Sequence, residues 1–399
     1  MKIQRHPLAP MLGRNPDQVG RAATPLELLY DLTLVVAFGV AADQLADALA
    51  KGHILSGIVG FVLAMYAVVW CWINFTWFSS AYDNDDLFMR ACVTAQMVGV
   101  VILSLGLPAL FTGLHNHWEL QEQTVVAGYV VMRVALIALW IRAWKHDKAR
   151  RPTTSTYIIG ITIAQLMWIT LILIDVPVLI WGSLVVVIYI VEMLVPYIAE
   201  NRQGRTPWHP HHIAERYGLL ALIALGEGVV GTVDALNSLI GAHGWTLEVW
   251  MLAFCGMGLT VGMWWLYFGM PSAELIAANV ERVFAWAYGH IPVYAAIAAT
   301  GAGLELIALG FAGDSVISRG NTVLVVAIAL GVYMTLVFGL FHYIDGQIPF
   351  RTVLALFLSL LLLAAAVIGI FFGLPDYFAL ILITLTSWIP IFHWELRPA

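Results

Sequence analysis

The chain has 399 residues, of which 61% are hydrophobic and 11% are charged, and its mean hydropathy is +0.86. A water-soluble globule cannot bury this much apolar surface, so the composition indicates a polytopic membrane protein. The formal net charge of −6 gives no sign of nucleic-acid binding.

The apolar segments have a length close to the roughly 20 residues that a helix needs to cross a bilayer, which excludes the shorter alternating strands of an outer-membrane barrel. Twelve spans are predicted, in chain order, at 25–49, 54–79, 87–112, 124–144, 157–175, 177–199, 212–239, 246–270, 282–310, 321–343, 350–373 and 375–394. The fifth and sixth are separated only by Asp175, Val176 and Pro177. One helix over 157–199 would be about 64 Å long, twice the bilayer's hydrocarbon thickness, so a tight reversal is predicted there.

Basic residues predict the orientation of these spans. If the N-terminus is cytoplasmic, the following residues fall at cytoplasmic ends or loops: Lys2, Arg5, Arg14, Arg21, Arg90, Arg142, Lys145, Lys148, Arg150, Arg151, Arg202, Arg205, Arg216, Arg282, Arg351 and Arg397. Only Lys51 and Arg319 fall outside, and Arg133 lies within the fourth span. The positive-inside rule then predicts a plasma-membrane protein with both termini in the cytoplasm, and the long first apolar run predicts an uncleaved anchor.

The two halves of the chain resemble each other in outline. The segment 27–47 resembles 215–235 at an offset of 188, and three landmarks recur at an offset of 192, with Trp72, Phe75 and Arg90 matching Trp264, Tyr267 and Arg282. We predict an N-terminal tail (1–24), a first six-helix repeat (25–199), a linker (200–211) and a second six-helix repeat (212–399). Six spans in each half would make the repeats parallel.

Two acidic residues lie inside the first predicted span. Glu27 and Asp31 are four residues apart and therefore share one helix face. Two ionised carboxylates so close repel each other, so either a cation lies beside them or one is protonated, as expected of a proton-coupled or cation-binding site. The alternative is a structural ion pair with Arg90 or Arg282.

A second candidate is Glu227, twelve residues beyond Glu215 and thus about 18 Å deeper along a helix, near the middle of the bilayer. Gly226 and Gly228 flank it, which allows the close approach of another helix or a ligand. A carboxylate at this depth predicts a functional site, and the alternative is a buried pair with Arg133.

The seventh and ninth spans carry further polar candidates. His212, Glu215 and Arg216 open the seventh span, with His212 and Glu215 adjacent at a spacing of three. His290 lies two residues before Pro292 in the ninth span, where proline is expected to kink the helix. The imidazole beside the kink could serve as a gate or proton relay, and the alternative is a purely structural kink. The intramembrane acids are Glu27, Asp31, Glu192, Glu215 and Glu227, and the bases are Arg90, Arg133, Arg216 and Arg282. Pairing these groups leaves excess acid.

No metal or cofactor is predicted. His211 and Glu215 have the spacing of a metal-binding pair, but Pro210 and the interfacial position favour a helix cap. The three cysteines lie in apolar runs without metal-ligand spacing, and no P-loop, GxSxG, HExxH or dinucleotide fingerprint stands in a usable context.

Three motifs support a family resemblance that extends over nearly the whole chain. The segment Leu26–Leu32 (LELLYDL) resembles the ELFFDL opening of the bacterial low temperature requirement A family. HIAERYG at 212–218 and LGE at 225–227 resemble its HxxERFG and LGE signatures. Leu29 and Tyr30 stand where two phenylalanines are expected, and Gly228 stands where a small polar residue is common. The resemblance implies a multi-spanning membrane protein and carries no settled activity.

Two function classes remain. The first is a transporter or channel whose ion or small-molecule substrate enters an acidic cavity between the two repeats. Movement of the substrate could be coupled to protons or cations. The second is an intramembrane enzyme or lipid-binding protein that uses Glu227 or Glu215 as an acid or base. Duplication and the absence of a recognised nucleophile favour transport. Membrane lipid is the one partner that the composition implies, and the oligomeric state stays open.

Overall fold

The computed structural model describes residues 6–116, 118, 120–202, 204–313 and 315–396. Lys2, Arg5 and Arg397, which enter the orientation argument, lie outside these residues, and so does the side chain of Arg319. Within the described residues the regular structure is helical and contains no strand.

Thirteen α-helices occur in this part of the chain: α1 Pro25–Ala50, α2 Ile54–Tyr82, α3 Leu87–His115, α4 Gln123–His146, α5 Arg151–Leu173, α6 Val178–Glu200, α7 Pro210–His243, α8 Leu247–Phe268, α9 Ser272–Ala278, α10 Val283–Ala312, α11 Arg319–Asp345, α12 Phe350–Phe371 and α13 Asp376–Glu395. They make up 12 segments that are long and apolar enough to cross a membrane, because α8 and α9 fall in one segment, Leu247–Ala278. The prediction of an all-α integral membrane protein with about 12 spans is confirmed.

The predicted helix boundaries agree with the structure to within four residues, except at the start of α5 and at α9, which was not predicted. The reversal between the fifth and sixth spans is present, since α5 ends at Leu173 and α6 begins at Val178 after Pro177. However, α5 begins at Arg151, six residues before the predicted 157, because Pro152 starts the helix in the polar sequence that precedes the apolar run. The seven-residue helix α9 was not predicted, because it is too short to give a hydropathy signal.

The chain forms two compact units. The first contains Met1–Ala37 and Ala67–Arg216, and the second contains Phe38–Tyr66 and Tyr217–Ala399. Helices α1, α2 and α7 contribute residues to both units. The parallel six-helix repeats and the cytoplasmic location of the termini remain predictions.

Helices α3 and α4 of the first unit are in backbone contact at two glycines. A Cβ added to Gly128 would lie 2.4 Å from the amide nitrogen of Leu103 and 2.5 Å from the carbonyl oxygen of Gly99. A Cβ added to Gly99 would lie 2.7 Å from the carbonyl oxygen of Gly128. Small residues of this kind allow membrane helices to pack closely without a side chain between them.

We expect Gly128→Ala to destabilise the protein by about 1–3 kcal/mol, because the added methyl group would have to displace backbone atoms. The matched control is Gly182→Ala in α6, where an added Cβ meets nothing within 4 Å. That change should be neutral or stabilise the helix by up to about 1 kcal/mol. Thermal unfolding of both variants in detergent measures the difference, and equal midpoints would show that the close α3–α4 contact is absent.

Candidate functional site

Glu27 and Asp31 are buried and bind one cation, Arg216 of α7. The guanidinium Nη1 lies 2.8 Å from Glu27 Oε1, while Nε and Nη2 lie 3.1 and 2.6 Å from the two carboxylate oxygens of Asp31. The two carboxylates therefore share a face of α1, as their spacing implies, and the fork of Arg216 bridges them. We call Glu27, Asp31, Trp72, His212 and Arg216 the Arg216 cluster.

The remaining acceptor positions of the two carboxylates are also filled. The indole Nε1 of Trp72 donates to Asp31 Oδ1 over 2.6 Å, and the backbone amide of Thr24 donates to Glu27 Oε2 over 2.8 Å. His212 Nε2 lies 3.3 Å from the same Glu27 oxygen. Fully buried charges are tolerated when they are paired and hydrogen-bonded in this way, so the cluster has the features of a structural ion network.

Arg21 supplies a second positive charge beside this cluster. It is buried, and its Nη2 donates to the carbonyl of Ser79 over 2.8 Å. Burial lowers the pKa of Arg21 to about 10, so the side chain remains cationic at neutral pH. Glu27 and Arg216 are among the charges that act on it. Arg21 and Arg216 together therefore place two positive charges beside the two carboxylates.

The predicted alternative partners of Glu27 and Asp31 bind elsewhere. Arg90 forms a two-bonded ion pair with Asp85, with both distances at 2.9 Å, and the Nη1 of Arg282 donates to the carbonyl of Tyr343 over 2.9 Å. The structure contains an ion pair at Glu27 and Asp31, and its cation is Arg216. The seventh span begins with a basic residue that reaches the first span, which hydropathy alone does not reveal.

A second buried network surrounds Glu192 in the first unit. Its carboxylate accepts a short hydrogen bond from the hydroxyl of Tyr129 and hydrogen bonds of 3.3 Å from Gln165 and Trp168. Arg133 Nη2 lies 3.9 Å from Glu192 Oε2. Arg133 is thus paired with Glu192 in the first unit, and the alternative in which Arg133 pairs with Glu227 stays a prediction.

His290 and Glu215 differ in exposure. His290 is buried, and its ring nitrogens contact the carbonyl of Trp286 at 2.8 Å and the hydroxyl of Tyr267 at 3.0 Å. Because a carbonyl only accepts, Nδ1 donates to Trp286, and Nε2 shares a hydrogen bond with the Tyr267 hydroxyl, so both ring nitrogens are bonded. Glu215 is exposed and accepts from the backbone amide of Ala23 over 3.2 Å.

Glu227 is partly buried in the second unit and lies directly against a glycine of α1. A Cβ added to Gly39 would be 2.4 Å from Glu227 Oε1, so this carboxylate occupies the space that a side chain at position 39 would need. The predicted close helix approach is present at Gly228, since a Cβ added to Gly301 of α10 would lie 3.4 Å from its Cα. At Gly226 an added Cβ would meet nothing within 4 Å.

Two other acidic side chains act electrostatically on Glu227. The charges that act on it come from Asp43 of α1 and Asp234 of α7, and both also act on Glu305 of α10. We call Asp43, Glu227, Asp234 and Glu305 the acidic group. Among the described residues, no group of three or more His, Cys, Asp or Glu side chains could hold a metal ion.

Asp43, Asp234 and Glu305 were missed as site candidates. Glu227 and Asp234 are seven residues apart, two helical turns, and this spacing places them on one face of α7. The seven-residue spacing from Glu227 could therefore have identified Asp234 from the sequence. Glu305 had no comparable signal, because its place beside Asp43 depends on how α10 packs in the second unit.

Residues 22–387 match the family described as bacterial low temperature requirement A protein (LtrA). The chain belongs to this family. It is also similar to the protein of Rhizobium meliloti (strain 1021) described as uncharacterized protein RA0937, with 28% identity over 302 residues, 72% of this chain and 70% of the relative. No solved structure matches the chain. The family assignment confirms the resemblance. Two of its three motifs, LELLYDL and HIAERYG, contain Glu27, Asp31, His212 and Arg216 of the Arg216 cluster.

Proposed function

We propose that this LtrA-family protein is a membrane transporter or channel-like protein that passes protons or small cations through the acidic group. One observation carries the proposal: the charges that act on Glu227 and Glu305 all come from carboxylates. Carboxylates inside a membrane are costly, and a proton or a bound cation removes their mutual repulsion. Helices α1, α7 and α10, which carry these carboxylates, would then line the path of the ion.

The other buried charges support a division of roles. The Arg216 cluster pairs its carboxylates with guanidinium nitrogens, and Glu192 is paired with Arg133 and three hydrogen-bond donors. An ion that enters such a network would have to displace a partner that is already bonded. The charges that act on Glu227 and Glu305 come from other carboxylates, so we assign ion binding to the acidic group and structural support to the other two networks.

The test is ion flux in proteoliposomes that contain the purified full-length chain. Imposed gradients of protons, Na⁺, K⁺ and Mg²⁺ should each be compared with protein-free liposomes, using currents on a solid-supported membrane. At least one gradient should drive a current, and the double variant Asp43→Asn/Glu305→Gln should reduce it. A chain that passes none of these ions, or whose current is unchanged in the double variant, would overturn the proposal.

We further infer a plasma-membrane location with both termini in the cytoplasm, because the basic residues concentrate on one side. Single cysteines at Asn116, which follows α3, and at Trp245, which precedes α8, should then react with an impermeant thiol reagent on intact cells. A cysteine at Lys148 should react only after the cells are opened. The native cysteines are free and buried, so their background should be low. Labelling of Lys148→Cys on intact cells would show that the inferred orientation is wrong.

A further inference from the structure

An open groove of about 640 Å³ lies in the first unit, at the end of α4. One wall is the N-terminal segment with Leu8 and Pro10, and the opposite walls are Phe88 of α3 and Ile141 of α4. Leu8 is 69% exposed and Ile141 is 36% exposed. The groove is therefore an apolar slot whose lining is in part uncovered.

Three basic side chains line the end of this slot, and they differ in how well they are neutralised. Arg142 binds both carboxylate oxygens of Asp86, and it also donates to the carbonyl of Ala9 over 2.6 Å. Burial opposes ionisation of Asp86, but hydrogen bonds from Arg142 and from backbone amides outweigh it and hold the pKa of this carboxyl well below its usual range. Asp86 therefore stays charged and neutralises Arg142.

Lys145 and His146 are exposed and supply the remaining polar groups of the groove. His146 Nδ1 accepts the backbone amide hydrogen of Met11 over 3.0 Å, so the ring proton is on Nε2, which is a hydrogen-bond donor. Lys145 adds a positive charge that no described carboxylate neutralises within ion-pair distance. The groove thus combines an apolar slot with one cation and one neutral donor.

The depth of the groove fits the lipid headgroup region. Lys145 and His146 are in the last turn of the transmembrane helix α4. The neighbouring Trp144 is 37% exposed and lies under the guanidinium of Arg151, 5.0 Å from its ring centroid. Exposed tryptophan beside basic residues at the end of a span is typical of the membrane–water interface.

We propose that this groove binds one anionic phospholipid. The phosphate lies against the Lys145 ammonium and the Nε2–H of His146, and an acyl chain follows Leu8, Phe88 and Ile141. A positive charge in the headgroup region selects anionic over zwitterionic lipid, and the apolar slot requires an acyl chain rather than free phosphate. This site is separate from the acidic group and does not depend on the proposed function.

The experiment is a lipid titration of the full chain in detergent, read by native mass spectrometry with dioleoyl phosphatidylglycerol and dioleoyl phosphatidylcholine. Phosphatidylglycerol should bind more tightly, and Lys145→Ala should weaken it about fivefold, the effect of about 1 kcal/mol per basic residue near a membrane surface. The matched control is Lys148→Ala, which removes the same charge from an exposed position that does not line the groove. Its affinity should match that of the unmodified chain.

Two measurements keep the proposal testable if the Lys145 variant folds poorly. Raised salt should weaken phosphatidylglycerol binding to the unmodified chain, and inorganic phosphate should not displace the lipid. Equal binding of the two lipids, equal effects of Lys145→Ala and Lys148→Ala, or displacement by inorganic phosphate would each overturn the proposal.

Discussion

Replacing Arg216 with methionine should lower the free energy of unfolding by about 3–5 kcal/mol, because it leaves two buried carboxylates without their cation. Arg216 is fully buried and makes three hydrogen bonds to Glu27 and Asp31. Thermal unfolding in detergent at neutral pH should show a large fall in the midpoint, or loss of the folded protein.

A compensated variant separates this cause from simple loss of packing. Arg216→Met combined with Glu27→Gln and Asp31→Asn removes the charges together and should recover much of the lost stability. The matched single change is Arg90→Met, which removes an arginine whose ion pair with Asp85 is exposed, and its midpoint should stay close to that of the unmodified chain. If Arg90→Met were as damaging as Arg216→Met, burial of the cluster could not be the cause.

Replacing Glu227 with glutamine should reduce ion flux by about tenfold or more, equivalent to about 1.4 kcal/mol of lost ion interaction, or should make the flux independent of pH. Glutamine keeps the shape of the side chain against Gly39 but cannot release a proton or neutralise a cation. The fold should persist, because Arg133 keeps its own carboxylate, Glu192, when Glu227 changes. Flux in proteoliposomes and thermal unfolding should be measured on the same preparation.

The control for Glu227 is Glu215→Gln, an equal change on the same helix at an exposed carboxylate. It should leave flux unchanged. If Glu227→Gln were instead clearly less stable and recovered when Arg133 was also neutralised, Glu227 would be half of a structural pair. Unchanged ion flux in the Glu227→Gln variant would show that Glu227 is not part of the ion path.

The helices could be predicted because hydropathy is a local property. An apolar run near 20 residues in length must be helical inside a bilayer, whatever its neighbours are. The reversal at Pro177 followed from the length of one uninterrupted helix. The start of α5 at Arg151 could not be predicted from hydropathy, because the first turn of this helix is polar and does not extend the apolar segment.

Side-chain partners were less predictable, because they depend on which helices are neighbours. The sequence placed Glu27, Asp31 and Arg216 correctly on their helices, but the choice among four arginines required the packing of α1 with the first turns of α7. The acidic residues were also only partly predictable from the sequence. Glu227 was recognised from its depth and its glycines, whereas Glu305 gained significance only when its acidic neighbours were known.

The N-terminal segment is attached to α3 and α4 largely through its own backbone. The amide and carbonyl of Ala9 and the amide of Met11 make these bonds, and the side chains that receive or donate them are Asp86, Arg142 and His146. Backbone groups are the same in every residue type except proline, which lacks the amide hydrogen. A substitution in the segment by a residue other than proline can therefore preserve these three bonds, whereas a change of Asp86, Arg142 or His146 removes at least one of them.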